Sequence, residues 1–214
     1  MSDVWAIVVA AGTGERFGEP KQFARLDGSR LVDRSVAAAS AACDAVVVVL
    51  PTGVAWDGEP VAATVPGGST RSASVRAGLA AVPASATVVV VHDAARPCAS
   101  PALFDAVVAA VRAGADAAVP GLPIADTVKR VDGDRITETL ARHELVAVQT
   151  PQAFAAAALR AAHEAGGDAT DDAALVEAAG GRAVVVPGEP GNLKITRPDD
   201  LRVAGALAAE RGRT

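Results

Sequence analysis

The sequence is poor in aromatic residues and carries no excess of positive charge. Only 3% of its 214 residues are aromatic, none of them is tyrosine, and the formal net charge is -5. Proteins that bind nucleic acid without sequence preference generally combine a basic groove with stacking aromatic side chains. These absences argue against a general nucleic-acid-binding protein, so we expect any phosphate group to be bound locally.

Cysteine is also scarce. Cys43 and Cys98 show no spacing typical of a disulfide framework, which favours a reducing compartment. No base is evident beside Cys98, so we do not expect a thiol nucleophile. The first apolar run, residues 4–10, is too short to span a membrane and follows Asp3 rather than basic residues. We therefore expect a soluble, cytoplasmic protein with no membrane partner.

Half of the residues are hydrophobic, which is enough for one large core, and we expect a single domain over residues 1–214. Apolar runs predict strands at residues 4–10, 45–50, 62–65, 87–91, 115–120, 182–186 and 191–196. Periodicity and capping signals predict helices at residues 31–42, 155–165 and 201–209, and three more that end near residues 81, 113 and 179. This alternation is typical of the α/β class, with an open, mostly parallel, twisted sheet and helices on both faces.

One segment breaks this pattern. Residues 124–139 alternate polar and apolar side chains around Asp132-Gly133, which predicts a β-hairpin. So polar a hairpin is unsuited to the centre of a parallel sheet, and an isolated hairpin is marginal in water. We expect a projecting β-arm, at about residues 124–148, that packs on a second subunit in a homodimer.

The stretch at residues 8–23, which covers the end of the first strand and the loop after it, is rich in glycine and cationic. It contains Gly12, Gly14 and Gly18 together with Arg16 and Lys21. Glycine lets the backbone approach a ligand closely with its N-H groups, and cations neutralise a polyphosphate. We interpret the loop as a phosphate cradle; the alternative is an ordinary glycine-rich turn with solvated charges.

Two better-known phosphate loops do not fit this stretch. The dinucleotide fingerprint needs a glycine where Phe17 stands and an acid after the second long strand, where Leu50 and Pro51 stand. The Walker loop needs Gly-Lys-Ser/Thr, whereas Lys21 lies between Pro20 and Gln22. The cradle is therefore predicted to be a long, non-helical loop.

Polar residues follow another buried strand. His92 and Asp93 come at its end, and Arg96 follows, where open α/β sheets bind ligands. Asp93 is suited to contact Mg2+ or the substrate, and Arg96 to bind a second phosphate or to close a turn with Asp93. His92 is better explained as a packed, hydrogen-bonded histidine. Lys194 lies in an apolar pattern, and either a substrate phosphate or an internal carboxylate can balance its charge.

These motifs carry a family resemblance. The cradle, with Ala-Ala-Gly near its start, resembles the nucleotide-binding signature of the sugar-phosphate nucleotidyltransferases. His-Asp-Ala-Ala-Arg-Pro at residues 92–97 is similar to the signature of the 2-C-methyl-D-erythritol 4-phosphate cytidylyltransferase family. Gly-Gly-x-x-Arg at residues 67–71, Thr-Pro-Gln at 150–152 and Asn-Leu-Lys-Ile-Thr at 192–196 follow in family order. The resemblance covers nearly the whole chain.

The resemblance implies a Rossmann-like nucleotidyltransferase fold and a step of the non-mevalonate isoprenoid pathway. CMP would pass from CTP to 2-C-methyl-D-erythritol 4-phosphate, pyrophosphate would be released, and Mg2+ or another divalent cation would assist. The related pentitol-phosphate enzymes tend to show Asp-x-Val-Arg-Pro, so Ala95 favours the first acceptor. The alternatives are ribitol 5-phosphate or another polyol phosphate, and a regulator that binds nucleotides without catalysis. We expect no second enzyme fused after the last helix.

The resemblance also assigns residues to roles. The catalytic residues it implies are Arg16, Lys21, Arg142 and Lys194. The nucleotide-binding residues are Ala10, Ala11, Gly12, Thr13, Gly14, Gly68, Ser69, Ser74, Asp93 and Ala94, of which Gly68, Ser69 and Ser74 would hold cytosine. The acceptor-binding residues are Asp93, Arg96, Thr127, Arg142, Thr170 and Lys194. Thr127 and Arg142, on the arm, would act in the partner's site, and Asp93 is the candidate metal ligand.

Overall fold

The computed structural model describes residues 3–14 and 17–211. Its strands are β1 (Val4–Val9), β2 (Arg25–Leu26), β3 (Ser29–Arg30), β4 (Ala45–Leu50), β5 (Ala63–Pro66), β6 (Val88–Asp93), β7 (Ala117–Pro123), β8 (Lys129–Asp132), β9 (Arg135–Thr139), β10 (Val146–Val148), β11 (Gln152–Ala155) and β12 (Ala183–Pro187).

The helices confirm most of the predicted positions. They are α1 (Leu31–Ala42), α2 (Arg71–Ala80), α3 (Pro101–Arg112), α4 (Ala156–Glu164), α5 (Asp172–Ala178) and α6 (Pro198–Arg211). Two short 3-10 turns, Lys21–Phe23 and Arg142–Glu144, were not predicted. Within the described chain, no helix is both long and apolar enough to cross a membrane.

One eight-stranded sheet organises the molecule, in the order β10-β7-β11-β6-β1-β4-β5, with β12 paired to β7. Parallel ladders join β1 to β4 and β6, β4 to β5, and β7 to β12. The central strands β4 and β6 are valine runs because both of their faces are covered by helices. The predicted α/β fold with a mostly parallel sheet is confirmed.

The helices divide between the two faces of this sheet. Helices α1 and α3 pack on one face, where Val36 and Phe104 are buried against β1 and β6. Helices α2, α4 and α5 cover the other face, where Val75 and Leu159 are buried. Two-sided burial of apolar surface is the main stabilising contribution to such a sheet.

Two strand predictions were incomplete or wrong. β11, in a segment for which no strand was predicted, lies antiparallel between β6 and β7. Residues 191–196 were predicted as a strand, but they form an extended loop with no ladder partner. That loop has the apolar pattern of a strand because Ile195 is fully buried and its N-H donates to the carbonyl of Ala95 at 2.7 Å.

The segment after β7 forms the predicted hairpin. β8 and β9 pair only with each other, apart from the main sheet, and their residues are exposed. Val131 and Ile136 are paired across the hairpin, and each is 59% exposed. The hairpin therefore presents a small apolar surface that the described part of this chain leaves uncovered.

A third, smaller hydrophobic cluster includes a residue of the cradle. Phe17 from the cradle, Leu26 from β2, Ile195 from the extended loop and Ala204 from α6 are buried together. Because this cluster joins the cradle to the loop that carries Lys194, it fixes the relative position of two segments expected to handle phosphate.

Helix α2 packs so closely on the sheet that one of its glycines has no room for a methyl group. A Cβ at Gly78 would lie 2.5 Å from Ile7 Cγ2 and 3.0 Å from Val49 Cγ2. We expect Gly78→Ala to lower the free energy of unfolding by roughly 1–2 kcal/mol, because overpacking outweighs the gain in helix propensity. Urea denaturation measures this change.

Gly205→Ala in α6 is the matched control. Its Cβ would lie 3.7 Å from Leu26 Cδ1, an ordinary contact, so we expect the variant to gain roughly 0.5–1 kcal/mol. Equal effects of the two substitutions would contradict close packing at Gly78.

Candidate active site

The site lies where the parallel strands β1 and β6 end, with Val9 and Asp93 adjacent in register. A cavity of about 470 Å³ opens there. It is lined by Val9, Ala10, Ala11, Gly12, Thr13, Lys21, Gln22, Gly68, Ser69, Thr70, Arg71, Ser74, Asp93, Ala94, Ala95 and Lys194. The cradle, the start of α2 and the end of β6 therefore form one cavity, which we call the nucleotide cavity.

The cradle is a tight turn built on Gly14. The N-H groups of Phe17 and Gly18 both donate to the Gly14 carbonyl, at 2.7 and 3.0 Å. Gly14 has φ +74°, and a Cβ there would lie 1.9 Å from the carbonyl oxygen of Glu19, so only glycine fits. Arg16, a predicted catalytic residue in this turn, lies outside the described residues.

A hydrogen bond also joins the two ends of the cradle. Gln22 is buried, and its side-chain amide donates to the Gly12 carbonyl at 3.1 Å. Lys21, the residue before it, begins the 3-10 turn and lines the nucleotide cavity. The turn therefore holds a cation beside the cavity, as the cradle interpretation requires.

The second wall is the start of α2. Thr70 caps the helix by accepting a hydrogen bond from the Ala73 N-H at 3.1 Å. The Ser74 hydroxyl donates to the Thr70 carbonyl at 3.0 Å and accepts from the Gly68 N-H at 3.2 Å. A Cβ at Gly67 would lie 2.2 Å from that of Ala11, so this wall approaches the cradle closely. Ser74 thus shapes the wall as well as lining it.

A second cavity, of about 210 Å³, adjoins the first, and we call it the acceptor cavity. Its lining is Arg71, Asp93, Arg96, Val148, Gln149, Thr150, Gln152, Thr170, Asp171 and Lys194. Three residues, Arg71, Asp93 and Lys194, line both cavities. The boundary between the two cavities is therefore a cluster of two cations and one carboxylate.

In this cluster, both cations form an ion pair with the same carboxylate, that of Asp93. Lys194 Nζ lies 2.7 Å from Asp93 Oδ2, and Arg71 Nε lies 3.4 Å from Asp93 Oδ1. Burial alone would raise the pKa of Asp93, but the charges of Lys194 and Arg71 outweigh it and hold the pKa well below its usual range. Asp93 is therefore ionised. The internal carboxylate considered as a partner for Lys194 is therefore Asp93.

Hydrogen bonds from polar side chains to backbone carbonyls join the segments around the acceptor cavity. Arg96 donates to the carbonyls of Asn192 at 2.8 Å and Val148 at 3.3 Å, and burial lowers its pKa. Asn192 donates to the Thr150 carbonyl at 2.8 Å. These bonds join the extended loop to the segment before β11, so Arg96 here shapes the wall of the cavity.

His92 is a structural residue, as predicted. It is fully buried, its ring nitrogens lie 3.2 Å from Thr150 Oγ1 and 3.2 Å from the Arg96 carbonyl, and its ring packs 5.0 Å from that of Phe104. Burial lowers its pKa to about 4. It therefore supports the segment that carries Asp93 and Arg96 without reaching either cavity.

Most predicted site residues lie together. The nucleotide cavity contains Ala10, Ala11, Gly12, Thr13, Lys21, Gly68, Ser69, Ser74, Asp93, Ala94 and Lys194, and the acceptor cavity adds Arg96 and Thr170. Gly14 shapes the cradle beside them. Thr127 and Arg142 lie on the exposed arm and line neither cavity, and Arg142 donates to the Ala125 carbonyl. Their predicted roles require a second subunit.

Sequence reasoning missed several lining residues. They are Gln22, Thr70, Arg71, Gln149, Thr150, Gln152 and Asp171. Arg71 could have been found, since it is the arginine of the Gly-Gly-x-x-Arg motif at residues 67–71. Gln152 and Asp171 were hidden because their bond, at 2.9 Å, joins elements distant in sequence.

Comparison with known proteins points to one family. The sequence model described as 2-C-methyl-D-erythritol 4-phosphate cytidylyltransferase matches residues 4–210. The enzyme of that name from Rhodococcus opacus (strain B4) is 48% identical over 217 residues, which cover 97% of this chain and 96% of that protein. The crystal structure of the Thermus thermophilus enzyme has a TM-score of 0.83 at 37% identity, and covers 95% of this chain and 98% of that one.

Other relatives are longer. The bifunctional enzyme IspD/IspF of Anaeromyxobacter dehalogenans is 50% identical over 224 residues, which cover 95% of this chain but 56% of that protein. This chain thus spans little more than half the length of such relatives. The expectation that no second enzyme is fused to it therefore stays a prediction.

The burial of His92 predicts a pH dependence of stability. Between its ordinary pKa of 6.5 and about 4, the unfolded chain binds a proton at this residue that the folded chain does not. Stability therefore falls as the pH drops through this window, by up to about 1.4 kcal/mol per pH unit from His92 alone. Urea denaturation at pH 7 and pH 5 should show a smaller loss for His92→Gln than for the unmodified protein. Equal losses would contradict a neutral, buried His92.

Proposed function

Because the chain belongs to the 2-C-methyl-D-erythritol 4-phosphate cytidylyltransferase family, we propose that it transfers CMP from CTP to 2-C-methyl-D-erythritol 4-phosphate and releases pyrophosphate. One observation carries the proposal: two adjoining cavities share a boundary formed by Arg71, Asp93 and Lys194. A reaction between two anionic substrates needs such an arrangement, with cations at the point where the substrates meet.

The first cavity suits the nucleotide. The cradle, with Lys21, supplies backbone N-H groups and positive charge for a triphosphate, while Gly68, Ser69 and Ser74 on the opposite wall of the same cavity are placed to contact a base. The smaller cavity, with Arg96, Thr170 and Lys194, suits a polyol phosphate.

The chemistry requires no general base. In the proposed step a phosphate oxygen of the acceptor attacks the α-phosphorus of CTP, a new P–O bond forms, and the bond to the β-phosphate oxygen breaks as pyrophosphate leaves. A phosphate monoester is already anionic near neutral pH, so positioning and charge stabilisation limit the rate. Lys21 and Arg16 would stabilise charge on the triphosphate, and Lys194 would hold the acceptor phosphate in line.

The residues present fit a magnesium ion bound chiefly by the nucleotide. Among the described residues that line the nucleotide cavity, Asp93 is the one with a carboxylate side chain. Residues 3–14 and 17–211 contain no group of three His, Cys, Asp or Glu side chains suited to hold a metal. Mg2+ commonly takes one or two carboxylates together with substrate phosphates. We therefore propose Asp93 as the protein ligand of an ion that neutralises phosphate charge.

We also propose that the enzyme is a homodimer, located in the cytoplasm where CTP is available. The exposed apolar pair Val131 and Ile136 gives the arm a surface for a second copy. Thr127 and Arg142 lie on the same arm, outside both cavities of their own chain. Docking of the arm on the partner would bring a further cation to the acceptor phosphate.

Pyrophosphate release from CTP and Mg2+ tests the proposed reaction. With 2-C-methyl-D-erythritol 4-phosphate as acceptor we expect steady turnover, and with ribitol 5-phosphate little or none. Turnover with ribitol 5-phosphate alone would transfer the protein to the polyol-phosphate alternative. CTP binding without pyrophosphate release from either acceptor would favour a non-catalytic regulator.

Subunit complementation tests the shared site. We expect Lys21→Ala and Arg142→Ala each to lower kcat by roughly a hundredfold or more, the scale for loss of one electrostatic donor in the transition state. Because one mixed site would contain neither substitution, co-refolded heterodimers should recover a substantial part of the activity. Verified heterodimers that stay inactive would show that each site is built from one chain.

A further inference from the structure

A series of polar side-chain contacts leads from the boundary of the two cavities into the protein core behind α2. Lys194 and Arg71 both contact Asp93, and Arg71 continues away from the cavities: its Nη1 lies 2.7 Å from Asp172 Oδ2. The second oxygen of Asp172, Oδ1, lies 3.0 Å from His163 Nε2. The contacts therefore run in the order Lys194, Asp93, Arg71, Asp172 and His163.

Asp172 and His163, at the far end of this series of contacts, are deeply buried. The side chain of Asp172 has no exposed surface, and that of His163 is 2% exposed. Asp172 is the first residue of α5 and His163 lies in the last turn of α4, so two helices meet at this pair. Neither residue lines either cavity. A buried carboxylate is costly unless its oxygens are paired, and here both of them are.

The pairing sets the orientation of each group. A carboxylate only accepts hydrogen bonds, so the His163 ring donates to Asp172 from Nε2. With one oxygen held by His163, the other is aimed at Arg71. Arg71 lies between two carboxylates. Burial alone would lower the pKa of Arg71, but the charges of Asp93 and Asp172 outweigh it and raise the pKa.

One nitrogen of the Arg71 guanidinium makes no hydrogen bond within the described residues. That nitrogen, Nη2, is buried, while the side chain lines both cavities. The guanidinium plane is rigid, so contacts at Nε and Nη1 also fix the direction of Nη2. The pair behind Arg71 therefore determines how the arginine is presented at the boundary.

We propose that His163 and Asp172 are positioning residues for the transfer reaction: they fix Arg71, and Arg71 together with Lys194 fixes Asp93 where the two substrates meet. The inference rests on the proposed function. Its physical basis is that reacting groups must be held within a fraction of an ångström, and that a displacement of about 1 Å costs roughly a hundredfold in rate.

The test compares His163→Leu with His163→Gln. Leucine fills the space but donates no hydrogen bond, whereas glutamine keeps a donor near the position of Nε2. We expect His163→Leu to lower kcat roughly ten- to a hundredfold at saturating acceptor. The affinity for CTP, measured by titration calorimetry, should change little, and His163→Gln should recover most of the lost kcat.

Ala162→Gly is the matched control. Ala162 is the neighbouring buried residue of α4, and its replacement by glycine weakens the same helix while His163 and Asp172 both keep their side chains. We expect it to lower the urea midpoint of unfolding and to leave kcat of the folded protein unchanged. A double variant, His163→Leu with Asp172→Asn, should be no slower than the slower single variant, because both act through Arg71.

The possible results distinguish a failure of the positioning role from a failure of the proposed function. If the unmodified protein turns over but His163→Leu behaves like Ala162→Gly, or glutamine recovers nothing, the positioning role is overturned and the proposed function stands. If the unmodified protein releases no pyrophosphate with either acceptor, the proposed function fails and the positioning role fails with it.

Discussion

The candidate active site depends on one carboxylate held between two cations. Asp93 ends a central parallel strand and is contacted by Lys194 from the extended loop and by Arg71 from the start of α2. Opposite charges at this distance outweigh the cost of burying the carboxylate, which is why its pKa falls. Three segments far apart in sequence therefore meet at one point, and the boundary between the two cavities exists because they do.

The rest of the fold supports that meeting point from three directions. The sheet brings the ends of β1 and β6 together, so that the cradle lies beside Asp93. The small core of Phe17, Leu26, Ile195 and Ala204 joins the cradle to the Lys194 loop from below. Behind α2, Asp172 and His163 hold Arg71. A two-substrate reaction of anions depends on such rigidity, since it relies on placement and charge rather than on a nucleophilic side chain.

The local elements followed from local patterns. Valine runs placed β4 and β6, a helical period placed α1 with its observed bounds, and Asp132-Gly133 placed the hairpin between β8 and β9. The wrong strand prediction came where a tertiary contact produces the same sequence pattern as a strand. Residues 191–196 have the alternation of a strand because Ile195 is buried against Ala95, and nothing within the segment distinguishes that burial from pairing in a sheet.

The sequence by itself determined the α/β class, the cationic glycine loop after β1 and the polar end of β6, because glycine content, charge and hydrophobic period act over a few residues. Only the tertiary structure decided that Lys194 is balanced by Asp93, that Arg71 belongs to the site, and that His163 and Asp172 stand behind it. Those contacts join residues up to 101 positions apart, and their energies depend on burial and distance, which are set only when the sheet and helices have packed.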